Sequence, residues 1–350
     1  MALGIGIVSA AHGHVNAYAG EIADMDDAHV VAVWDDDADR GRKAADHAGA
    51  EFVADLDALL ARDDVQAAII GSETSRHAEH VEAAAAAGRH ILLQKPMALT
   101  LADCDRIAAA VASAGVRFSM AWQMRCDPQN QWMRDFVRSG RLGRIVMVRR
   151  RHGLSTHLWS GFESSWHVQP ELNRGMFMDD AAHPADWLLW MFGRPESVTA
   201  EIETILNPRV PDDNGVAVFR YADGMLAILE CSFTCVAADD TTNVYGEKGT
   251  ILQRWGDSPS CTPHLAAGAD ERALRYRLAG EEAWTTVDID TPPAHGHRIR
   301  GVARPAVEFL LGRREPIATV EEGRANVEML LACYESARTG RRVMLGAGDR

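Results

Sequence analysis

Through the first third of the chain, short runs of aliphatic and β-branched residues alternate with stretches whose apolar positions recur every three to four residues. The short runs predict strands over residues 4–8, 29–34, 51–53, 65–70, 90–93 and 116–121. The periodic stretches predict helices over 14–23, 39–48, 56–60, 77–87 and 101–114. Thr100 is placed to cap the last of these helices, and Gly88 to close the one before it. Strands and helices in strict alternation make a parallel sheet with crossover helices, an α/β doubly wound architecture.

Near Trp122 the pattern changes. A helix is expected over 128–139, then strands over 145–152, 197–206, 215–221, 225–234, 243–245, 249–254, 275–279 and 284–288. Tight turns such as Ala222-Asp223-Gly224 and Gly246-Glu247-Lys248-Gly249 separate them, which favours a large, open, mainly antiparallel sheet of α+β type. One strong helix is expected over 177–190, and a helical pair over 301–311 and 321–339 closes the chain. At 350 residues a single core is too large, so two domains are expected, 1–121 and 122–350, with the C-terminal helix packing back on the first. Residues 258–272 read as the loosest stretch.

Composition adds exclusions. The formal net charge of -14 gives a polyanion no attraction, so neither nucleic acid nor an anionic membrane surface is expected as partner. No apolar run is long enough for a transmembrane helix. The apolar N-terminus lacks a basic leader and runs into a turn with two histidines, so it reads as a first strand rather than a signal peptide. Six cysteines lack zinc spacing and read as reduced and buried, Cys231 and Cys235 on one face of a strand. A reducing, cytoplasmic setting fits.

The first turn reads Ser9-Ala10-Ala11-His12-Gly13-His14. Small residues at Ser9 and Ala11 allow close backbone approach, the helix N-terminus behind them suits a pyrophosphate, and Gly13 takes any positive-φ bend. Gly4 and Gly6 lie within the strand and are decoys. Asp35 ends the second strand, at about the offset of a carboxylate that grips ribose hydroxyls in a Rossmann sheet. With Asp36 and Asp37 behind it and no Arg in the next two positions, NAD is favoured over NADP; Asp36 and Asp37 also read as caps of the next helix. His12 and His14 lack a third ligand, so no metal is expected. His12 faces either a ligand or ordinary turn packing.

Three further stretches belong together. Leu93-Gln94-Lys95-Pro96 follows a strand; Gly71-Ser72-Glu73-Thr74-Ser75-Arg76-His77 is a loop ending in histidine; Gly175 leads to Asp179, His183 and Asp186 at helical spacing. With Pro316-Ile317-Ala318-Thr319 before the last helix, this set resembles the glucose–fructose oxidoreductase, inositol dehydrogenase and rhizopine-catabolism (Gfo/Idh/MocA) oxidoreductases over nearly the whole chain. The resemblance implies a Rossmann domain joined to a sheet domain, with Lys95, His183 and Asp179 at the reacting hydroxyl of a sugar or polyol. Ser72, His77, Gln94 and Lys95 then join Ser9, Ala11, His12, Gly13 and Asp35 as cofactor-binding candidates. Homodimers or homotetramers are common in that family.

The chemistry is also legible in the residues. Oxidising an alcohol needs a base within hydrogen-bond reach of the hydroxyl. Asp179 and His183, four apart, would share a helix face, the carboxylate orienting the imidazole. An ammonium from Lys95 at the carboxyl edge of the sheet would stabilise a developing alkoxide. Trp166 and His167 either line the substrate pocket or belong to the core, Asp186 reads as structural, and Arg125 and His157 are lesser candidates. The chain departs from the family in Gln94 for Glu and in Asn173-Arg174 for two glycines. Beside a net dehydrogenase or reductase, two other readings stay open: an NAD-dependent redox-assisted glycosidase or lyase, and a non-catalytic sugar or NAD sensor.

Overall fold

The structure, a computed structural model, describes residues 2–236, 240–254, 272–292 and 295–346. Cys261 and most of the 258–272 stretch lie outside these residues. The chain divides into two compact units: Met1–Cys126 with Glu171–Asn173 and Arg298–Val327, and Asp127–Pro170 with Arg174–His297 and Glu328–Arg350.

The first unit holds a parallel sheet of β1 (Leu3–Val8), β2 (Ala28–Trp34), β3 (Glu51–Phe52), β4 (Ala67–Ile70), β5 (His90–Leu93) and β6 (Phe118–Met120), in the order β3-β2-β1-β4-β5-β6. The order reverses between β2-β1 and β4, where ligands bind at the carboxyl ends of such strands. Every residue of β1 and β4 is buried, as helices on both faces require. The connecting helices are α1 (His14–Ala23), α2 (Ala38–Ala48), α3 (Leu56–Leu60), α4 (His77–Ala86) and α5 (Leu101–Ala114). Thr100 accepts the Asp103 N–H and caps α5, and Gly88 turns at φ 71 after α4.

The second unit is built on a nine-stranded sheet: β7 (Ile145–Gly153), β8 (Ser197–Glu203), β9 (Asn214–Arg220), β10 (Leu226–Ser232), β11 (Asp240–Gly246), β12 (Gly249–Arg254), β13 (Leu274–Leu278), β14 (Thr285–Thr286) and β15 (Val343–Met344). The order is β14-β13-β12-β11-β7-β10-β9-β8-β15, and among the described residues only β7 and β10 pair parallel. Alternate residues Val148, Arg150, Ala227, Leu229, Ala217 and Phe219 point inward and are buried. Arg150 is met there by the Thr242 hydroxyl at 2.7 Å and by the Trp187 ring, 4.1 Å below its guanidinium.

Three elements differ from what the pattern implies. Strand β8 stops at Glu203 rather than 206, because the buried Asp213 carboxylate takes the N–H groups of Ile205, Leu206 and Asn207 at 2.7, 2.8 and 2.9 Å. The helix expected over 177–190 is two helices, Met176–Asp180 and Ala182–Phe192. Pro184 has no N–H for the Asp180 carbonyl, so the ladder breaks there. Strand β10 ends at Ser232, so Cys235 falls beyond it and does not share a strand face with Cys231.

Asp213→Ala leaves three backbone donors unmet. We expect it to lower unfolding stability by about 2–4 kcal/mol, read from chemical denaturation; a loss under about 0.5 kcal/mol would remove Asp213 as the anchor of this loop.

Candidate active site

In the first unit, β1 runs into the turn Ser9–His14. Ser9 carries the positive φ, 64°, while Gly13 is ordinary right-handed helix at φ -58, ψ -16. The expected bend at Gly13 therefore sits four residues earlier. Serine holds that position because its hydroxyl is tied down: it donates to Asp35 Oδ2 at 3.1 Å and accepts the Ala11 N–H at 3.2 Å. The His12 N–H reaches the Gly71 carbonyl at 2.8 Å, joining this turn to the loop after β4. A side chain on Gly71 would collide with Val15, so only glycine permits that approach.

Asp35 is buried and takes donors on both oxygens: Ser9 Oγ, the N–H groups of Ala10 (2.8 Å) and Asp37 (2.9 Å), and Arg40 Nε (2.9 Å). Burial pushes its pKa up; the Arg40 hydrogen bonds and the two N–H groups outweigh that and hold it below the usual carboxylate range. The sequence reading stopped two positions after the acidic run. Arg40, one turn into α2, folds back to Asp35 (2.7 Å), Asp36 (2.7 Å) and Glu73 (3.5 Å), and Arg76 pairs with Asp36 at 2.9 Å. Asp37 caps α2 as expected, accepting the N–H groups of Asp39 and Arg40.

The loops after β4 and β5 are pinned together by His77. Its Nδ1 lies 2.9 Å from the Pro96 carbonyl and its Nε2 3.2 Å from the Ser72 carbonyl. His80 Nδ1 lies 2.9 Å from Ser72 Oγ. Burial lowers both histidines to about 4; hydrogen bonds to carbonyls oppose this at His77, and the charge of Arg76 adds to it at His80. Gln94 donates to the Tyr18 hydroxyl (2.9 Å) and accepts the Lys95 N–H (2.9 Å), coupling α1 to the strand end that bears the lysine. Lys95 is 2% exposed and precedes a cis peptide to Pro96. A surface lysine is thereby ruled out. Asn173 accepts the Thr74 hydroxyl at 2.9 Å, which gives one of the two departures from the family glycines a structural task.

In the second unit Asp179 and His183 are both buried, one in each half of the broken helix. Asp179 Oδ2 accepts from His167 Nδ1 at 2.7 Å. The neighbouring carboxylate, Asp180 Oδ1, lies 3.8 Å from His183 Nε2 and 3.7 Å from His152 Nε2. Asp180 and His152 thus stand beside His183, in addition to the Asp179 that the i, i+4 spacing points to. The strand period puts His152 on the buried face of β7 with Val148 and Arg150, so that signal was present. The helix break is what turns Asp180 toward the two imidazoles. Trp166 stacks on His167 with ring centroids 3.9 Å apart, both half-buried, and Phe162 stacks on the same imidazole at 5.8 Å.

Other candidates have structural partners. Arg125 binds Glu322 (2.8 Å) and the Ile317 carbonyl (3.2 Å), and Asp186 is buried within its helix. His157 lines a 310 Å³ cavity with Thr156, Trp159, Glu163 and Asn207. No group of three His, Cys, Asp or Glu side chains is arranged for a metal among the described residues.

The first unit fits a dinucleotide. Gly13 heads α1 without a side-chain cap, and a Cβ placed there would meet nothing within 4 Å. The positive end of the helix is placed for a pyrophosphate, with the His14 N–H on His12 Nδ1 at 3.4 Å and the Val15 N–H on the His12 carbonyl at 3.1 Å. With this geometry the chain is an oxidoreductase of the NAD-binding Rossmann class: residues 3–122 match that oxidoreductase family, and residues 130–252 match the GFO/IDH/MocA C-terminal domain. The chain belongs to the GFO/IDH/MocA family. It is 32% identical over 300 residues to inositol 2-dehydrogenase 1 of Saccharopolyspora erythraea, covering 81% of each chain. It is 26% identical over 326 residues to 1,5-anhydro-D-fructose reductase of Ensifer adhaerens, covering 91% of this chain and 92% of that one. Among solved structures, levoglucosan dehydrogenase with NADH and levoglucosan superposes with a TM-score of 0.84 at 19% identity, over 98% of this chain and 99% of that one. The WlbA dehydrogenase of Bordetella pertussis, with NADH and UDP-GlcNAcA, gives 0.80 at 24% identity over 99% of both chains. These two likenesses concern the fold.

His77 and His80 stay neutral in the folded chain down to about 4, whereas unfolded they take up protons from about their ordinary 6.5. The unfolded state thus binds more protons between those values, and stability falls as pH falls across that window. A double variant, His77→Gln with His80→Gln, should show a flatter dependence of melting temperature on pH from 6.5 to 4. An unaltered slope would refute the assignment.

Proposed function

We propose that this chain interconverts a hydroxyl and a carbonyl of a sugar or polyol with NAD, and that Lys95, Asp179 and His183 act at that hydroxyl. The observation that carries the reading is a pair of histidine–carboxylate contacts on neighbouring residues, half-buried His167 with buried Asp179 and buried His183 with Asp180. A binding protein has no need of buried acid–base pairs; a dehydrogenase needs one to move the hydroxyl proton. The names of the relatives, an inositol dehydrogenase and an anhydrosugar reductase, support the same substrate class.

In this reading His183 takes the hydroxyl proton on oxidation and returns it on reduction. The nearby Asp180 charge stabilises the protonated imidazole. Lys95 donates to the substrate oxygen as negative charge develops, a contribution that is large where water is excluded. Asp179 holds His167, and Trp166 stacked on it offers an aromatic face to the C–H surface of a sugar ring. Bound NAD supplies the hydride acceptor, or as NADH the donor. Ser9, Ala11, His12 and Gly13 would hold its phosphates, and Ser72, His77, Gln94 and Lys95 would line its binding loops. Asp35 would grip the ribose, which requires the Arg40 guanidinium to shift from it. Around Arg40 and Arg76 stand three carboxylates, Asp35, Asp36 and Glu73, against two guanidiniums. The remaining negative charge repels a 2′-phosphate and favours NAD over NADP.

The outward face of the second sheet presents Met147, Val216, Val218 and Tyr245, all between 37% and 44% exposed. Apolar side chains in adjacent strands invite a second copy, so this reading includes a homodimer or homotetramer. It also places the protein in the cytoplasm: Cys104 and Cys333 are buried thiols, and no described helix is long and apolar enough to cross a membrane. Recovery of the native protein in a membrane or secreted fraction would contradict that placement.

A panel of sugars, inositols and sugar acids with NAD and NADP, followed at the reduced-nicotinamide absorbance, tests the activity. Free NADH accumulating with turnover is the expected result; none with any substrate, despite product formation, would favour internal redox-assisted elimination. His183→Gln and Lys95→Ala should each lower kcat by roughly 10²–10⁴-fold. Turnover unchanged in either removes that residue from the mechanism. Val218→Glu should shift the light-scattering mass toward one chain; a wild-type mass equal to one chain at micromolar concentration refutes the oligomer outright.

A further inference from the structure

The short helix Met176–Asp180 bears both acid–base carboxylates, yet it has no cap from its own sequence. It starts at Gly175 in extended backbone, and no side chain of the capping residue meets its first N–H groups. Two distant partners meet them instead. The Met176 N–H goes to the Pro211 carbonyl at 3.1 Å. The Met178 N–H goes to the phenol oxygen of Tyr334 at 3.0 Å, and that hydroxyl donates onward to Asp212 Oδ2 at 2.7 Å.

The surroundings are built around this relay. Asp212 sits in the left-handed region, φ 60, with its N–H on Thr204 Oγ1 at 3.0 Å. Gly175 makes room for it: any Cβ there would strike Asp212 Oδ2. Arg174, also left-handed at φ 66, lays its guanidinium 5.5 Å from the centre of the Tyr334 ring. Burial, together with the Asp212 charge, raises the Tyr334 pKa well above its ordinary value, so the phenol stays a donor at working pH. Asp213 and Glu203 are the other carboxylates near Asp212, and Arg174 the cation.

We infer that Tyr334 and Asp212 form an external cap that positions the Met176–Asp180 helix, and with it Asp179 and Asp180, for proton transfer. Both are positioning residues: neither acts on the hydroxyl itself. The inference rests on the acid–base reading above. It explains why a tyrosine of the final helix is placed against a segment 156 residues earlier. It also gives Arg174, the second departure from the family glycines, a task. Misplacing a catalytic group by about 1 Å costs on the order of 10²-fold in rate, so a cap of modest strength has a large kinetic effect.

Tyr334→Phe removes only the hydroxyl. It should lower kcat about 10- to 100-fold, shift the kcat–pH profile, and leave NAD affinity by fluorescence titration unchanged. Hydrogen exchange at residues 174–181 should quicken about tenfold. Asp212→Asn keeps an acceptor for the phenol and tolerates the left-handed backbone, so it should retain near-normal kcat. Asp212→Ala should resemble Tyr334→Phe and serves in its place if the latter does not fold. Normal kcat, pH profile and exchange in Tyr334→Phe, with His183→Gln inactive, overturn the cap alone. Full activity in His183→Gln overturns the acid–base reading beneath it.

Discussion

A carboxylate drawn partly or wholly out of water must be met by hydrogen-bond donors, and this fold is organised around aspartates in that condition. Asp35 draws the turn after β1, the start of α2 and the Arg40 guanidinium to one point. Asp213 gathers three successive N–H groups and ends β8. Asp179 fixes His167, and Asp212 receives the Tyr334 hydroxyl. Each could not be buried at bearable cost without these partners, and each partner is held in place by meeting it.

The same constraint separates rigid from reactive parts. His77 lies among backbone carbonyls, burial keeps it neutral, and it joins two loops, one of which carries Lys95. His183 lies among other titratable groups, Asp180 and His152, an environment in which a proton can move. The residue types are identical; the surroundings make one a structural pin and set the other among titratable groups.

Backbone strain is distributed with similar logic. Among the described residues, three other than glycine take positive φ, namely Ser9, Arg174 and Asp212. Ser9 lies in the turn after β1, and Arg174 and Asp212 flank the Met176–Asp180 helix from the preceding residues and from a distant loop. Each is secured by a side-chain contact of its own: Ser9 on Asp35, Arg174 over Tyr334, Asp212 under the phenol. Such conformations persist where the surroundings over-determine them.

Much of this was legible in the linear chain. The alternation of buried runs and amphipathic helices determined the doubly wound sheet, nearly to the residue at His14–Ala23, His90–Leu93 and Leu101–Ala114, because those signals are local. Asp35, Lys95, Asp179 and His183 stood out as candidates because their positions at strand ends and at helical spacing follow from short-range geometry. Pro184, a local breaker, already marks where the helix over 177–190 divides; only the tertiary structure decided that Arg40 returns to Asp35, that Asp180 and His152 approach His183, and that Tyr334 caps a helix far back in the chain. The reason is physical. Periodicity encodes which face a side chain occupies, whereas the partner of a buried polar group is chosen by chain segments that meet only on folding.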